Sequence, residues 1–106
     1  MAIIVHRIRL HDGVPPERFE KWVRDVDYAA CPELPSVLAF GVQRVVDAAG
    51  GPGYFEIIEV TGREEFERDM ESTRFQQLVA QFDQMAKVVD EVTGERIGDG
   101  YRVQNL

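Results

Sequence analysis

Apolar and polar positions alternate along AIIVHRIRL, from Ala2 to Leu10, with the two-residue period of a β-strand. Successive strand side chains point to opposite faces, so Ile4, His6, Ile8 and Leu10 share one face while Ile3, Val5, Arg7 and Arg9 share the other. His11-Asp12-Gly13 then supplies turn chemistry, and Pro15-Pro16-Glu17 opens a helix expected to reach about Asp27. Phe19, Trp22, Val23 and Val26 recur at helical spacing as its buried stripe, flanked on opposite sides by Trp22 and Asp27. Tyr28 turns inward only if that helix ends there, and Cys31-Pro32-Glu33-Leu34-Pro35 makes an early end the expectation.

SVLAFGVQRVV (36–46) and YFEIIEV (54–60) are rich in β-branched and aromatic residues and read as a second and third strand. The glycine-rich loop between them, 47–53, has no Lys-Ser/Thr ending and leads into no helix, so it reads as a hairpin connection rather than a phosphate cradle. Residues 63–71 predict a short helix with Phe66 and Met70 as its buried pair. Ser72 or Thr73 caps a longer helix with the stripe Phe75, Leu78, Val79, Phe82, Met85, Ala86 and Val89, expected to end at Thr93-Gly94. A weaker last strand is expected around Ile97 or 101–103.

That order, strand, helix, two strands, helices, strand, is the split β-α-β arrangement of an α+β fold. It predicts a ferredoxin-like four-stranded antiparallel sheet with helices on one face, in a single domain spanning 1–106. The other sheet face should carry Ile3, Val5, Phe55 and Ile57, an apolar patch that asks for a partner. A second copy related by a two-fold axis is the simplest cover, so a homodimer is expected.

Charge narrows the partners further. The net charge of −7 disfavours a sequence-independent grip on nucleic acid or on an anionic membrane surface. Cys31 is the only cysteine, which leaves no intramolecular disulfide and no cysteine cluster for zinc and fits a reducing cytoplasm. MAIIVHRIRL lacks the features of a secretion signal, and no later stretch is long and apolar enough to span a bilayer, so a cytoplasmic protein is expected.

The chemistry starts from His6. A helix packed on its strand face would set an imidazole among apolar neighbours, where its proton affinity depends on the partners that reach it. The plainer reading is a satisfied core histidine. Trp22 and Phe82 likewise fill an interior first and line a ligand site second. Cys31 has no local histidine and is flanked by structure-bending prolines, which argues against a nucleophile. His6 and His11 face opposite ways, so no metal is expected.

IVHRIRLHDGV, FEKWVRDVDYAACPELPSV, YFEIIEV and FERDMESTRFQQLVAQFD together resemble the dimeric α+β barrel superfamily, which includes cofactor-free polyketide cyclases, antibiotic-biosynthesis monooxygenases and haem-degrading enzymes. More narrowly, they resemble the REDY-like or HapK family found with bacterial pigment pathways such as prodigiosin biosynthesis. The resemblance implies pairing into a dimeric α+β barrel and a cleft between sheet and helices in each subunit. Matching the turn TGREEF puts Tyr54, Glu56, Ile58 and Val60 on the face of His6, with Glu56 beside the imidazole or else paired with an arginine such as Arg44. Haem-degrading members use an asparagine, a tryptophan and a histidine where this chain has His6, Val60 and Val79, so no haem and no other cofactor is expected. Some cyclases carry a first-strand histidine base, but their second histidine has no match here.

The resemblance therefore implies a small cofactor-independent enzyme of secondary-metabolite biosynthesis, of prodigiosin-like pigment or bisindole type, acting on an aromatic or heteroaromatic intermediate. His6 would move the proton, with Glu56, Asp27 and Tyr28 orienting it or stabilising charge. Trp22, Tyr54, Phe82, Val60 and Val79 would line the substrate. Cyclisation, isomerisation, decarboxylation and a cofactor-free oxygenation all suit such a site. The alternative is a non-catalytic homodimer that shelters an unstable intermediate or assists a partner enzyme.

Overall fold

The computed structural model describes residues 1–46 and 53–104, so the hairpin loop expected between the second and third strands lies outside the described residues save for Gly53. β1 (Ala2–Leu10) and β3 (Gly53–Val60) form the middle of a four-stranded antiparallel sheet of order β2-β3-β1-β4. β2 (Val37–Arg44) and β4 (Ala86–Gly94) are its edges. The alternation read from β1 sets the faces: Ile4 and Ile8 are buried opposite Ile58 and Tyr54, under the helices. Ile3, Val5, Phe55 and Ile57 turn to the helix-free face. Gly13 takes a φ of 84° in the turn after β1, a left-handed conformation that favours glycine.

The helical layer begins with α1 (Pro16–Trp22), whose first turn holds the proline and Glu17 as the sequence indicates. It does not stop at Asp27. A π-helical turn, Val23–Asp27, is closed by the bond from the Tyr28 N–H to the Val23 carbonyl, and α2 (Tyr28–Ala30) and a 3₁₀ turn, Cys31–Glu33, continue the run. α3 (Arg63–Met70) buries Phe66, and α4 (Thr73–Asp83) is capped by the Ser72 hydroxyl, which accepts from the Phe75 N–H at 3.1 Å.

The chain's end departs from expectation. The long helix stops at Asp83, and the residues read as its last two turns form β4. Met85 and Ala86 fall at helical spacing from Phe82, yet they are buried as the lead-in to a strand. Val88, Val89, Val92 and Thr93 are β-branched, and pairing with β1 satisfies a row of main-chain donors and acceptors that would otherwise face solvent. No strand forms at 95–104, where Ile97 and Tyr101 stand exposed.

The core is in three parts rather than one. Phe19 and Val23 pack on Ile8 and Tyr54; Ile4, Ile58, Val60 and Phe66 form a second group; Ala30, Leu34 and Leu78 form a third. The space between them is hollow, and it defines the site.

Candidate functional site

Cross-strand register places Val42, Glu56, His6 and Glu91 in one row on the covered face of the sheet. The neighbouring rows are apolar over β1 and β3, with Ile4 and Ile58 on one side and Ile8 and Tyr54 on the other. A single polar row inside an apolar surface must satisfy itself internally. His6 Nδ1 lies 2.7 Å from Glu56 Oε2, and its Nε2 lies 2.8 Å from Glu91 Oε2. Two carboxylates facing the two ring nitrogens favour the imidazolium, the form with an N–H to give to each. The hydrogen bond to Glu56 raises its pKa above the usual histidine value, and the bond to Glu91 adds to this against the opposing effect of burial. His6 in turn holds the Glu91 carboxyl below its ordinary range. Arg63, at the start of α3, steadies the far side: its Nη2 is 3.7 Å from Glu91 Oε1 and its Nη1 donates to Thr93 Oγ1 at 2.8 Å.

Above this row lies a cavity of about 360 Å³, within the size range of small-molecule sites. All three core groups contribute to its wall: Ile58 and Phe66 from one, Leu34 and Leu78 from another, and Trp22 and Phe82 packed against the first. The Trp22 indole N–H donates to Gln81 Oε1 at 2.7 Å, tying α1 to α4 beside the cavity. His6, Glu56 and Asp27 supply its inner polar groups.

Asp27 closes the π turn. Its carboxyl has no hydrogen-bond partner among the described residues, and burial, with the nearby Glu56 charge, pushes its pKa up to about 7. Cys31, also on the wall, gives its S–H to the Asp27 carbonyl at 3.6 Å; burial raises the thiol to about 11, so it stays protonated at neutral pH.

The structure thus brings together His6, Glu56, Asp27, Trp22, Phe82 and Val79 around one cavity. It sets the other candidates elsewhere. Val60 is fully buried among Ile4, Ile58 and Phe66 and does not reach the cavity. The Tyr54 hydroxyl donates to Glu20 Oε2 at 2.7 Å, beside a separate, smaller recess. Arg44 pairs with Glu20, not with Glu56. Tyr28 does not turn into the cavity: its hydroxyl accepts from the Val42 N–H at 3.0 Å and caps the exposed edge of β2. Glu91 is the site residue that the sequence does not reveal, because the helical period of α4 runs on into β4; the β-branched run around it is the available signal. Among the described residues no group of three or more His, Cys, Asp or Glu side chains is arranged to hold a metal ion.

A family model described as REDY-like protein HapK matches residues 2–97. The chain belongs to the HapK family. The crystal structure of HapK from Hahella chejuensis is 46% identical, with 97% of this chain and 99% of that one covered at a TM-score of 0.90. SnoaB, a cofactor-independent oxygenase from Streptomyces nogalater, shares the fold at 17% identity, with coverage of 93% and 97% and a TM-score of 0.75. A dimeric ferredoxin-like protein of unknown function from Thermobifida fusca YX aligns at 18% identity over 88% of each chain, with a TM-score of 0.62. A search of curated proteins found no match. The HapK-family chain therefore has a ferredoxin-like α+β fold that is also the fold of a cofactor-independent oxygenase.

Proposed function

We propose that this HapK-family protein is a cofactor-independent enzyme of secondary-metabolite biosynthesis, of prodigiosin-like pigment or bisindole type. It acts on an aromatic or heteroaromatic intermediate by acid/base chemistry at the His6 cluster. The observation that carries this reading is a ring-lined cavity whose inner polar groups are one imidazole ring and two carboxyl groups. Aromatic side chains select a flat, apolar ligand, and the polar groups exchange or steer protons as its electrons rearrange. Cyclisation, isomerisation and decarboxylation fit, as does a reaction with oxygen in which the substrate supplies the electrons. The fold shared with SnoaB supports that last option.

The enzyme works as a homodimer in the cytoplasm. Val5, Ile57 and Val92 lie in one apolar row on the helix-free face, with Val92 62% exposed, and such a row is covered most simply by its own copy. Light scattering at micromolar concentration is expected to give the mass of two chains; a monomer would remove this part. Among the described residues no helix is long and apolar enough to cross a membrane.

The test is genetic and chemical. Deleting the gene in its host is expected to make an aromatic intermediate accumulate, as seen by mass spectrometry. Restoring the wild-type gene clears it, whereas His6→Gln, folded by circular dichroism, leaves it in place. Full rescue by His6→Gln would instead favour a second reading, in which the cavity shelters an intermediate without chemistry. The occupation of both His6 nitrogens is the observation on that side.

A further inference from the structure

The ionisable groups around the cavity differ in what they are already bonded to. On the sheet side, His6 gives one N–H to Glu56 and the other to Glu91, so an arriving ligand finds neither a lone pair nor a spare donor on the ring. Glu56 is committed as the counter-charge to that ring. On the helical side, Asp27 offers its carboxyl to the cavity with no hydrogen-bond partner among the described residues. The remaining ionisable wall groups are Cys31, whose thiol stays protonated, and Asp83 and Lys87, both exposed. Asp27 is carried there by the π turn, whose wider winding offsets it from the line of the preceding helix.

We infer that Asp27 is the proton acceptor of this site, taking the proton of an aromatic O–H or N–H on a neutral, flat ligand, while His6 remains a fixed imidazolium that positions Glu56. The inference rests on the proposed reading of the cavity as an aromatic-ligand site. In the step, the ligand O–H or N–H bond breaks and its electron pair stays on the ligand, spreading into the ring. The proton forms an O–H bond on an Asp27 carboxylate oxygen, so the charge of the pair is conserved. A half-dry wall favours the neutral acid that results, and the fixed imidazolium offsets the charge now on the ligand. An acidity poised near neutrality suits a group that must both take and return a proton. Glu56, Glu91 and Asp27 together make an already anionic ligand unwelcome, which narrows the class to uncharged phenol-like and heteroaromatic N–H compounds.

The probe is 2-naphthol, which becomes a strong acid in its excited state and emits differently as naphthol and as naphtholate. Binding to the full chain is measured by calorimetry, and emission is excited where protein does not absorb. Bound naphthol is expected to show the naphtholate band, rising with pH through about 7. Asp27→Asn is expected to keep binding but lose about tenfold or more of that band, the scale on which positioned bases act. His6→Gln, which removes the charge that offsets the naphtholate, is expected to weaken the band less than Asp27→Asn does and to leave its rise with pH near 7. If Asp27→Asn keeps the band, or the wild-type protein binds naphthol and shows only the neutral band, the assignment of Asp27 fails while the aromatic cavity stands. If naphthol does not bind at all, the aromatic-ligand reading fails and this inference with it. Should His6→Gln not fold, Asp27→Asn decides alone: an acceptor at His6 would keep the band in that variant, whereas an acceptor at Asp27 loses it.

Discussion

Glu20 and Asp27 belong to the same helical run and are both partly buried, yet their surroundings drive their acidities apart. Glu20 receives the Arg44 Nε at 2.9 Å and the Tyr54 hydroxyl at 2.7 Å, and these donors, Arg44 first, hold its carboxyl down at about 2. Asp27 receives none, and burial takes it to about 7. Depth and donors separate the two together: Asp27 lies deeper and without a donor, whereas Glu20 lies nearer the surface under two of them. The first carboxylate fastens the helical layer to β2 and β3. The second is left costly to ionise, a condition that natural proteins keep chiefly where chemistry needs it.

The largest expected effect is in the titrations themselves. Carboxyl-detected NMR should give a midpoint near 7 for Asp27 and near 2 for Glu20, and midpoints that coincide would erase the contrast. Stability should then answer to the same chemical change with opposite signs. The folded pKa of Asp27 lies above its ordinary 3.8, so its neutral form is favoured in the fold and stability falls as pH rises from about 4 to 7. Asp27→Asn is therefore expected to stabilise by about 1–2 kcal/mol at pH 8, with no gain below pH 4, as read by urea unfolding. Glu20→Gln should instead cost about 1 kcal/mol near neutrality, because Arg44 and Tyr54 lose a charged acceptor. The Glu20 contribution is present above the ordinary 4.5 and is lost as pH falls towards 2. His6 acts in the sense of Asp27: its stabilisation is full below 6.5 and disappears as pH rises through the raised folded value. Smallest is Tyr28→Phe, expected to cost about 0.5 kcal/mol through the lost cap on β2 and to leave 2-naphthol affinity unchanged.

The face of His6 is legible because a strand has only two faces and an apolar neighbour on each side of His6 fixes which one is covered. The place of Glu56 beside it, rather than beside an arginine, comes from the resemblance of the turn TGREEF, and the structure shows that pair. The same rule put Ile3, Val5, Phe55 and Ile57 on the opposite side, where they stand. Glu91 was not legible in the same way. Met85, Ala86 and Val89 happen to continue the period of Phe75, Leu78 and Phe82, and Gln84 marks the break with neither glycine nor proline. Only the β-branched run in KVVDEVT spoke for a strand, and pairing to a distant β1 decided it. The inward turn of Asp27 and the outward turn of Tyr28 depend on one widened helical turn, which leaves no trace in a pattern counted at 3.6 residues per revolution.

Trp22 is the only tryptophan in the chain, and its indole stands in the cavity wall, anchored to Gln81. A lone indole so placed makes the pocket its own sensor: any compound that enters displaces water from one chromophore, with no second one to dilute the signal. Unlabelled extracts from a producing culture can thus be fractionated against the native protein. The fraction that dims it is the first place to look for the natural occupant.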